Sequence, residues 1–324
     1  MPRSTWVTLL VGLAGATLLG LALGPVALSP ATVWDALFGR GDTNVVAIVQ
    51  TLRMPRVALG LVIGAGLGMS GAALQGTLRN PLAEPYLLGV SGGAAVGAVV
   101  AVALHVNAPS VLPVAAFAGA ALAVALVLLV ARAAGARGDP RILLMAGVVV
   151  GAFANAVIMV LLTGAADDTV RGALWWMMGS LGDATWAGAR WVALYTVAGG
   201  ALLFALSREI ELLALGEDPA AALGVDVERA TQRAYLAASF LAAVTVAGAG
   251  LVGFVGLVVP AIVRGLGARS VRAVITGSAF AGGTLVVVAD IVARTARAPS
   301  ELPLGAVTAI VGVPFFLSRL RRMR

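Results

Sequence analysis

The sequence contains no cysteine and no lysine, and its single histidine is His105. The missing cysteines exclude disulfides, thiol nucleophiles and cysteine-ligated metal sites. Because all 22 basic residues are arginine, the chain can form neither a Schiff-base lysine nor a P-loop nucleotide site of the G-x-x-x-x-G-K-[ST] type. One histidine cannot form an all-histidine metal cluster. If ATP drives this protein, another subunit must bind the ATP.

Charged residues are also scarce. They make up 11% of the 324 residues, whereas hydrophobic residues make up 60%. A soluble domain is about 45–50% apolar and about 25% charged. Since a membrane-spanning helix needs about 20 apolar residues, the apolar content is enough for roughly nine or ten spans. The composition therefore predicts an all-α integral membrane protein, a compact bundle with little mass outside the bilayer.

Apolar stretches divide the chain into its predicted spans, which are 6–28, 54–78, 85–104, 111–131, 142–164, 186–206, 235–263, 271–289 and 302–318. The stretch 235–263 is too long for one span, and its glycines before Pro260 predict a break into two helices. The count becomes about ten, within one transmembrane domain covering residues 1–324. The first stretch exceeds the 7–15 residues of a signal-peptide core and is expected to be retained as a span.

The arginines are distributed unevenly between the two sides of the membrane. With ten spans both termini lie on one side, which collects fifteen arginines: 3, 79, 132, 137, 141, 208, 229, 233, 264, 269, 272, 319, 321, 322 and 324. The other side collects seven: 40, 53, 56, 171, 190, 294 and 297. The positive-inside rule places both termini in the cytoplasm. The net positive charge is thus a topology signal and does not indicate nucleic-acid binding.

Glycines repeat at four-residue spacing at Gly60, Gly64 and Gly68. Such ridges of small residues let helices approach closely in lipid, where packing drives helix association. They predict a tightly packed bundle and indicate nothing about a substrate.

The most polar segment is 208–233, which is expected on the cytoplasmic side. It predicts two short helices, Glu209–Gly216 and Pro219–Leu223, with Gly224 as the C-cap of the second. A partly apolar helical hairpin at the membrane surface suits docking to a cytoplasmic partner. A solvated connector lying on the lipid headgroups is the alternative.

Three further segments interrupt the apolar pattern. RNPLAEPYLLG (79–89) lies between two spans and is typical of either a pathway gate or a tight turn, because non-helical backbone at that depth must be buried or line a cavity. On the opposite face QTLRMPR (50–56) and ADIVARTARAPSELP (289–303) bring arginines to the surface, as interfacial anchors or as a patch for an acidic partner. Asp290 is expected to pair with Arg294 at i+4 and not to couple transport to an ion.

The same segments carry a family resemblance. MPRVALGLVIGAGLGMSGAALQGTLRNPLAEPYLLGVSGGAAVGA resembles the second and third spans of the ABC-importer permeases for iron–siderophores, haem and cobalamin. LALGEDPAAALGVDVER is similar to the coupling segment of that family, and GFVGLVVPAIVRGLG, ADIVART and ELPLGAVTAIVGVPFF are similar to its last three spans. The resemblance extends from about residue 50 to residue 320.

This resemblance implies a homodimeric permease with ten spans per subunit, embedded in the cytoplasmic (inner) membrane around a central pathway. The implied partners are a second copy of the chain, two ATP-binding subunits on the cytoplasmic face and an extracytoplasmic substrate-binding protein. ATP and Mg²⁺ belong to the partner subunit, and no cofactor, metal or catalytic residue is expected in this chain. The implied function is transport of a bulky metal chelate by alternating access, with ATP hydrolysis carried out elsewhere.

The site residues follow from the matching motifs. Arg53 and Arg294, and more weakly Arg56, match the outer arginines that meet acids of the binding protein. Asn80 and Leu82 match the cytoplasmic gate beside the dimer axis. The coupling helices within 208–228 supply Gly216, Glu217, Leu223 and Gly224. The chain departs from the family pattern near the gate at Asp139, Pro140 and Ala261.

Two other classes of function fit the sequence less well. An ion-coupled secondary transporter is the alternative, but such proteins carry ionisable residues near the midplane, and the predicted spans have few. An intramembrane enzyme is disfavoured because the sequence has no cysteine, no lysine, one histidine and no spaced acid motif that could serve as catalytic residues. Within the transport class the sequence does not choose among iron–siderophore, haem and cobalamin, and family breadth alone favours an iron–siderophore.

Overall fold

A computed structural model describes residues 1–105, 108, 110–135 and 139–321, apart from the side chains of 318–321. Arg137, Arg322 and Arg324, which entered the topology prediction, lie outside the described residues. Every regular element described is helical, which confirms the all-α prediction. The helices are α1 Arg3–Ala22, α2 Pro30–Leu37, α3 Thr43–Ala47, α4 Met54–Thr77, α5 Val90–Ala103, α6 Val111–Ala133, α7 Pro140–Leu162, α8 Asp167–Met177, α9 Trp186–Ala205, α10 Ser207–Leu213, α11 Glu217–Ala222, α12 Val227–Ala249, α13 Val255–Gly265, α14 Val271–Thr295 and α15 Leu304–Arg321.

Six helical segments in the described part of the chain are long and apolar enough to cross a membrane. They are α1, the continuous segment Thr43–Thr77, α6, α7, α9 and α14. The segment Thr43–Thr77 joins α3 to α4 through a π-helical stretch, Ile48–Arg53. Three shorter helices, α5, α13 and α15, are also apolar. The chain is therefore a multi-pass membrane protein.

The long apolar stretch 235–263 is divided into two helices, as predicted. Helix α12 ends at Ala249 and α13 begins at Val255. Gly250 has φ 70° and ψ −158°, a conformation that side chains disfavour, and Phe254 is left-handed with φ 66°. Pro260 does not end the second helix but lies inside it. The glycine thus breaks the helix, and the proline does not.

Helix α4 is the centre of the bundle and packs against α9, α12, α13 and α14. Its contact with α14 depends on glycine. A Cβ atom at Gly64 would lie 2.0 Å from the carbonyl oxygen of Gly282, and one at Gly68 would lie 2.3 Å from that of Ser278. The predicted role of the glycine ridge in close helix packing is confirmed.

The polar segment after α9 forms two short helices, as predicted, although their bounds differ. Helix α10 ends at Leu213, before the predicted end at Gly216, and Gly216 precedes α11 with φ 121°. Helix α11 starts at Glu217, two residues before the predicted start. Pro219 is therefore in its first turn, where proline is tolerated because no backbone N–H is needed. Gly224 is left-handed with φ 83°, as expected of a C-cap glycine.

We expect Gly64→Ala to destabilise the bundle, because its new methyl group would overlap the Gly282 carbonyl and push α4 and α14 apart. Overpacking of this kind costs about 1–3 kcal/mol. Gly15→Ala is the matched control, since a Cβ at Gly15 meets nothing within 4 Å. Thermal unfolding in detergent, followed by size-exclusion chromatography, should show a lower midpoint for Gly64→Ala only. Equal midpoints for the two variants would contradict the close-packing account.

Candidate gate, coupling and docking sites

Helix α4 separates two polar regions of the molecule. Arg53 and Arg56 lie at its beginning, and Arg79 follows its end. Its 24 residues correspond to a length of about 36 Å at 1.5 Å per residue. The two regions therefore lie at opposite ends of a helix that is long enough to span the membrane.

We call residues 78–89, between α4 and α5, the gate loop. Asn80 shapes its tip: the Asn80 Oδ1 accepts a hydrogen bond from the Leu82 backbone N–H at 2.9 Å, an Asx turn. Leu82 is 41% exposed, although it is a large aliphatic residue. The turn thus holds an apolar side chain outside the core of the chain, where another surface could cover it. The assignment of Asn80 and Leu82 to the cytoplasmic gate stays a prediction.

The inner side of the gate loop is tied to the break between α12 and α13. The Glu84 carboxylate accepts a hydrogen bond from the Phe254 N–H at 2.6 Å. The Tyr86 hydroxyl accepts one from the Val252 N–H at 2.8 Å. Backbone N–H groups at such a break have no partner within a helix, so two side chains of the gate loop satisfy them.

Gln75, in the last turns of α4, adds a third connection to α13. Its side-chain nitrogen donates to the carbonyl oxygens of Gly256 at 3.2 Å and Leu257 at 3.3 Å. Its oxygen accepts a hydrogen bond from Arg264 Nη1 at 2.6 Å. The end of α4, the gate loop and α13 are thereby held together as one unit. The acid and the prolines of the loop are evident from the sequence, but its contacts with the distant α12–α13 break and with α13 could not be predicted from it.

We call α10 and α11 with the turns around them, residues 207–224, the coupling hairpin. It packs through Leu213 and Ala220 against Ala230 of α12. Leu223 is 62% exposed, and Gly224 has open space around it. Glu217 begins α11, and its carboxylate pairs with the Arg79 guanidinium at 2.5 Å. The hairpin therefore exposes the apolar side chain of Leu223 and contacts the gate loop through the ion pair of Glu217 with Arg79.

The residues that depart from the family pattern have local structural roles. Asp139 caps the start of α7, because its carboxylate accepts the Arg141 backbone N–H at 2.8 Å. Pro140 is the first residue of that helix, a favoured position for proline. Ala261 lies within α13.

On the opposite face, Arg53 and Arg294 cap the carboxyl end of α1. Arg53 Nη1 donates to the carbonyl oxygens of Leu21 at 2.7 Å and Ala22 at 2.9 Å, and its Nη2 donates to Val26. Arg294 Nη2 donates to the carbonyl oxygen of Gly20 at 2.6 Å. Carbonyl groups at a helix end have no intrahelical donor, and a cation there also complements the helix dipole.

Arg56 joins the same region from α4 and contacts two acids. Its guanidinium pairs with Asp290 at 2.8 Å and with Glu301 at 2.7 Å. The predicted i,i+4 pair is confirmed, with Arg294 Nε 3.4 Å from Asp290 Oδ2. Hydrogen bonds from Arg56 hold the pKa of the Glu301 carboxyl below its usual range. We call Arg53, Arg56, Asp290, Arg294 and Glu301 the outer cluster.

The expectation that Arg53 and Arg294 present exposed charge is wrong for this conformation. Arg53 is only 5% exposed and Arg294 only 3%, because both guanidinium groups turn inward to the carbonyls at the end of α1. Arg190 and Arg297 are exposed on this face instead. The docking role of Arg53, Arg56 and Arg294 stays a prediction.

We expect Asp290→Asn to destabilise the chain strongly. The carboxylate faces two arginines and is 2% exposed, and removing one partner of a buried ion pair costs about 3–5 kcal/mol. Asp183→Asn is the matched control, because Asp183 is an exposed acid on the same face. Thermal unfolding in detergent should separate the two variants. If Asp290→Asn unfolds at the temperature of the control, the outer cluster does not stabilise the bundle.

Comparison with known proteins extends over nearly the whole chain. The model of the FecCD transport family matches residues 10–322. The cobalamin import permease BtuC of Halobacterium salinarum is 42% identical over 288 residues, which cover 88% of this chain and 76% of that protein. The hemin transport permease HmuU of Yersinia pestis is 36% identical over 308 residues, covering 93% and 90%.

The fold also matches a solved structure. A metal-chelate type ABC transporter in an inward-facing conformation superposes with a TM-score of 0.85 at 26% identity, and the match covers 98% of each chain. The family model and both relatives match nearly the whole chain, which confirms the resemblance seen in the sequence. The chain belongs to the FecCD transport family of ABC-transporter permeases.

Proposed function

We propose that this chain is the permease subunit of an ATP-driven importer that moves a bulky metal chelate into the cytoplasm. The observation that carries the proposal is the coupling hairpin, which exposes Leu223 on one side and contacts the gate loop on the other. Because the chain has no lysine for a P-loop, ATP and Mg²⁺ are assigned to a partner subunit. The chain itself forms the pathway for the chelate, and the partner subunit hydrolyses the ATP.

The proposed architecture is a homodimer with ten spans per subunit. Six long spans and three shorter apolar helices make nine, and α12 between Val227 and Ala249 makes ten. An even number puts both termini on one side, and the arginine distribution makes that side the cytoplasm. Two ATP-binding subunits would cover the two coupling hairpins there, in the cytoplasmic membrane.

The cargo class follows from the relatives. Permeases with 33–42% identity to this chain are named for cobalamin, hemin and ferric citrate, and each of these is a metal chelate. Cobalamin is the first cargo to test, since the 42% identical relative is named for it. A substrate-binding protein on the outer side would deliver the chelate.

The proposed mechanism is alternating access. ATP binding draws the two ATPase subunits together, and the coupling hairpins follow. The gate loops, with Asn80 and Leu82 of the two subunits facing each other at the dimer axis, then change their separation. Nucleotide can shift this equilibrium only because it binds the two states with different affinity.

The alternative, an ion-coupled secondary transporter, is less well supported by the outer cluster. Asp290 is a buried acid in a predicted span, where a coupling ion could bind. Its carboxylate is instead paired with Arg56 at 2.8 Å and Arg294 at 3.4 Å. Because each carboxylate oxygen already contacts an arginine, Asp290 is poorly placed to bind a coupling cation.

Transport is tested in proteoliposomes that contain the permease, its ATP-binding subunit and its binding protein. We expect uptake of radiolabelled cyanocobalamin, haemin or ferric citrate to require ATP and to be unaffected by collapse of the proton and sodium gradients. Liposomes without the ATP-binding subunit are the control. ATP-independent uptake that stops when an ion gradient is collapsed would instead establish the secondary transporter.

Docking of the binding protein at the outer cluster is a further part of the proposal. The arginines would exchange their present partners for carboxylates of the binding protein. We expect Arg53→Gln and Arg294→Gln to slow its association, with Arg190→Gln as the exposed control on the same face. Surface plasmon resonance at low and high salt measures the effect, because screening weakens electrostatic attraction. Unchanged association by folded Arg53→Gln and Arg294→Gln at low salt would exclude docking there.

A further inference from the structure

We infer that Arg79 is the residue through which the coupling hairpin moves the gate loop, by its ion pair with Glu217. The inference rests on the proposed function and names a positioning residue within it. Arg79 Nη2 lies 2.5 Å from Glu217 Oε1, although 138 residues separate the two in sequence. Glu217 is the first residue of α11, and Arg79 directly precedes Asn80. The pair therefore joins the proposed ATPase-docking helix directly to the residue beside the gate.

Stability alone does not explain this ion pair. The Arg79 side chain is 39% exposed and that of Glu217 is 53% exposed. Exposed ion pairs contribute little to folding, since water screens them and two long side chains lose freedom. A connection between two surface elements is a role that such a pair can fill, and an ATPase subunit seated over it would shield it from water.

The backbone of Arg79 gives an independent indication. Arg79 occupies the left-handed position just after the C-cap of α4, with φ 50°. The same position after α6, α11 and α13 is held by glycine, at Gly135, Gly224 and Gly267, and after α5 by His105. A side chain at such a position adds strain that glycine would avoid. Retaining an arginine there is explained if its guanidinium is needed at Glu217.

A second contact brings the hairpin onto the same end of α4. Helix α10 packs there through Ile210, which is fully buried. A Cβ atom at Gly76 would lie 2.8 Å from Ile210 Cγ2, so the two helices touch one turn before Arg79. The apolar contact seats α10 on α4, while the ion pair reaches beyond the helix end into the gate loop.

The end of the gate loop that is distant from Arg79 is fixed to the break between α12 and α13. Glu84 and Tyr86 attach it to the backbone of Phe254 and Val252. A displacement of Glu217 with the hairpin would thus pull on Arg79 at one end of a loop anchored at the other. The residues between these points include Asn80 and Leu82.

The test uses Leu82→Cys as a reporter, because the native chain has no cysteine. The permease is assembled with its ATP-binding subunit in proteoliposomes, and cross-linking between the two Leu82→Cys subunits is measured with ATP and vanadate and without nucleotide. Arg79→Gly, Arg79→Glu, Glu217→Arg and the double charge swap are added to this background. Arg229→Gln is the control, since Arg229 forms a cytoplasmic ion pair with Asp226 away from the gate loop.

We expect Arg79→Gly to keep or raise the thermal midpoint, because it relieves the left-handed strain. The nucleotide-dependent change in cross-linking should fall about fivefold or more, the lower end of typical coupling between sites. Both single charge reversals should show the same loss, and the double swap should recover most of the response. Arg229→Gln should respond like the reporter alone.

Two results would overturn the inference. A full nucleotide response in Arg79→Gly would show that the ion pair does not transmit the motion. Loss of response in both single reversals without recovery in the double swap would assign the effect to other contacts of each residue. A reporter that cross-links identically in every nucleotide state would count against the gate and the proposed function themselves, whereas a responsive reporter with a responsive Arg79→Gly rejects only the inference.

Discussion

A membrane protein must satisfy its backbone polar groups internally wherever a helix ends or breaks near the hydrocarbon core. In this chain two such places decide the arrangement of the functional regions. At the end of α1, free carbonyls receive the guanidinium groups of Arg53 and Arg294. At the break before α13, free N–H groups are bound by Glu84 and Tyr86. The first place fixes the outer cluster and the second fixes the gate loop.

Both places are held in register by α4. Its glycines allow α14 to approach within backbone contact at Gly64 and Gly68. Because lipid supplies no hydrophobic driving force for helix association, the bundle depends on such close packing. Because α4 is firmly packed, motion is expected at the elements attached to its ends. The coupling hairpin has an exposed apolar side chain, Leu223, and an ionic contact with the gate loop.

Local patterns in the sequence predicted much of this fold. The apolar stretches, the glycine break in 235–263, the short helices of the hairpin and the Asp290–Arg294 pair all follow from composition or short spacing, and the structure contains each of them. The polar contacts between distant segments could not be predicted in this way. Arg56 meets Asp290 across 234 residues, and Glu84 meets Phe254 across 170, and no spacing in one sequence records such pairs.

The same reason explains the error at the outer arginines. The outer segments QTLRMPR and ADIVARTARAPSELP and the family resemblance predict that Arg53 and Arg294 lie at the outer surface. The unpaired carbonyls of α1 provide a closer partner, and this partner becomes visible only when α1, α4 and α14 are assembled. The sequence likewise places Arg79 on the cytoplasmic side and at the start of the segment 79–89 but predicts no partner for it, whereas in the structure it contacts Glu217.

The central claim is that the coupling hairpin lies on the cytoplasmic face and the outer cluster on the opposite face. Single cysteines in the cysteine-free chain test it directly, at Leu223 on the hairpin and at Arg297 beside the outer cluster, both exposed. A membrane-impermeant maleimide is applied to intact cells and to inverted membrane vesicles. The account predicts labelling of Arg297→Cys only in cells and of Leu223→Cys only in inverted vesicles. Labelling of both positions from the same side would contradict it.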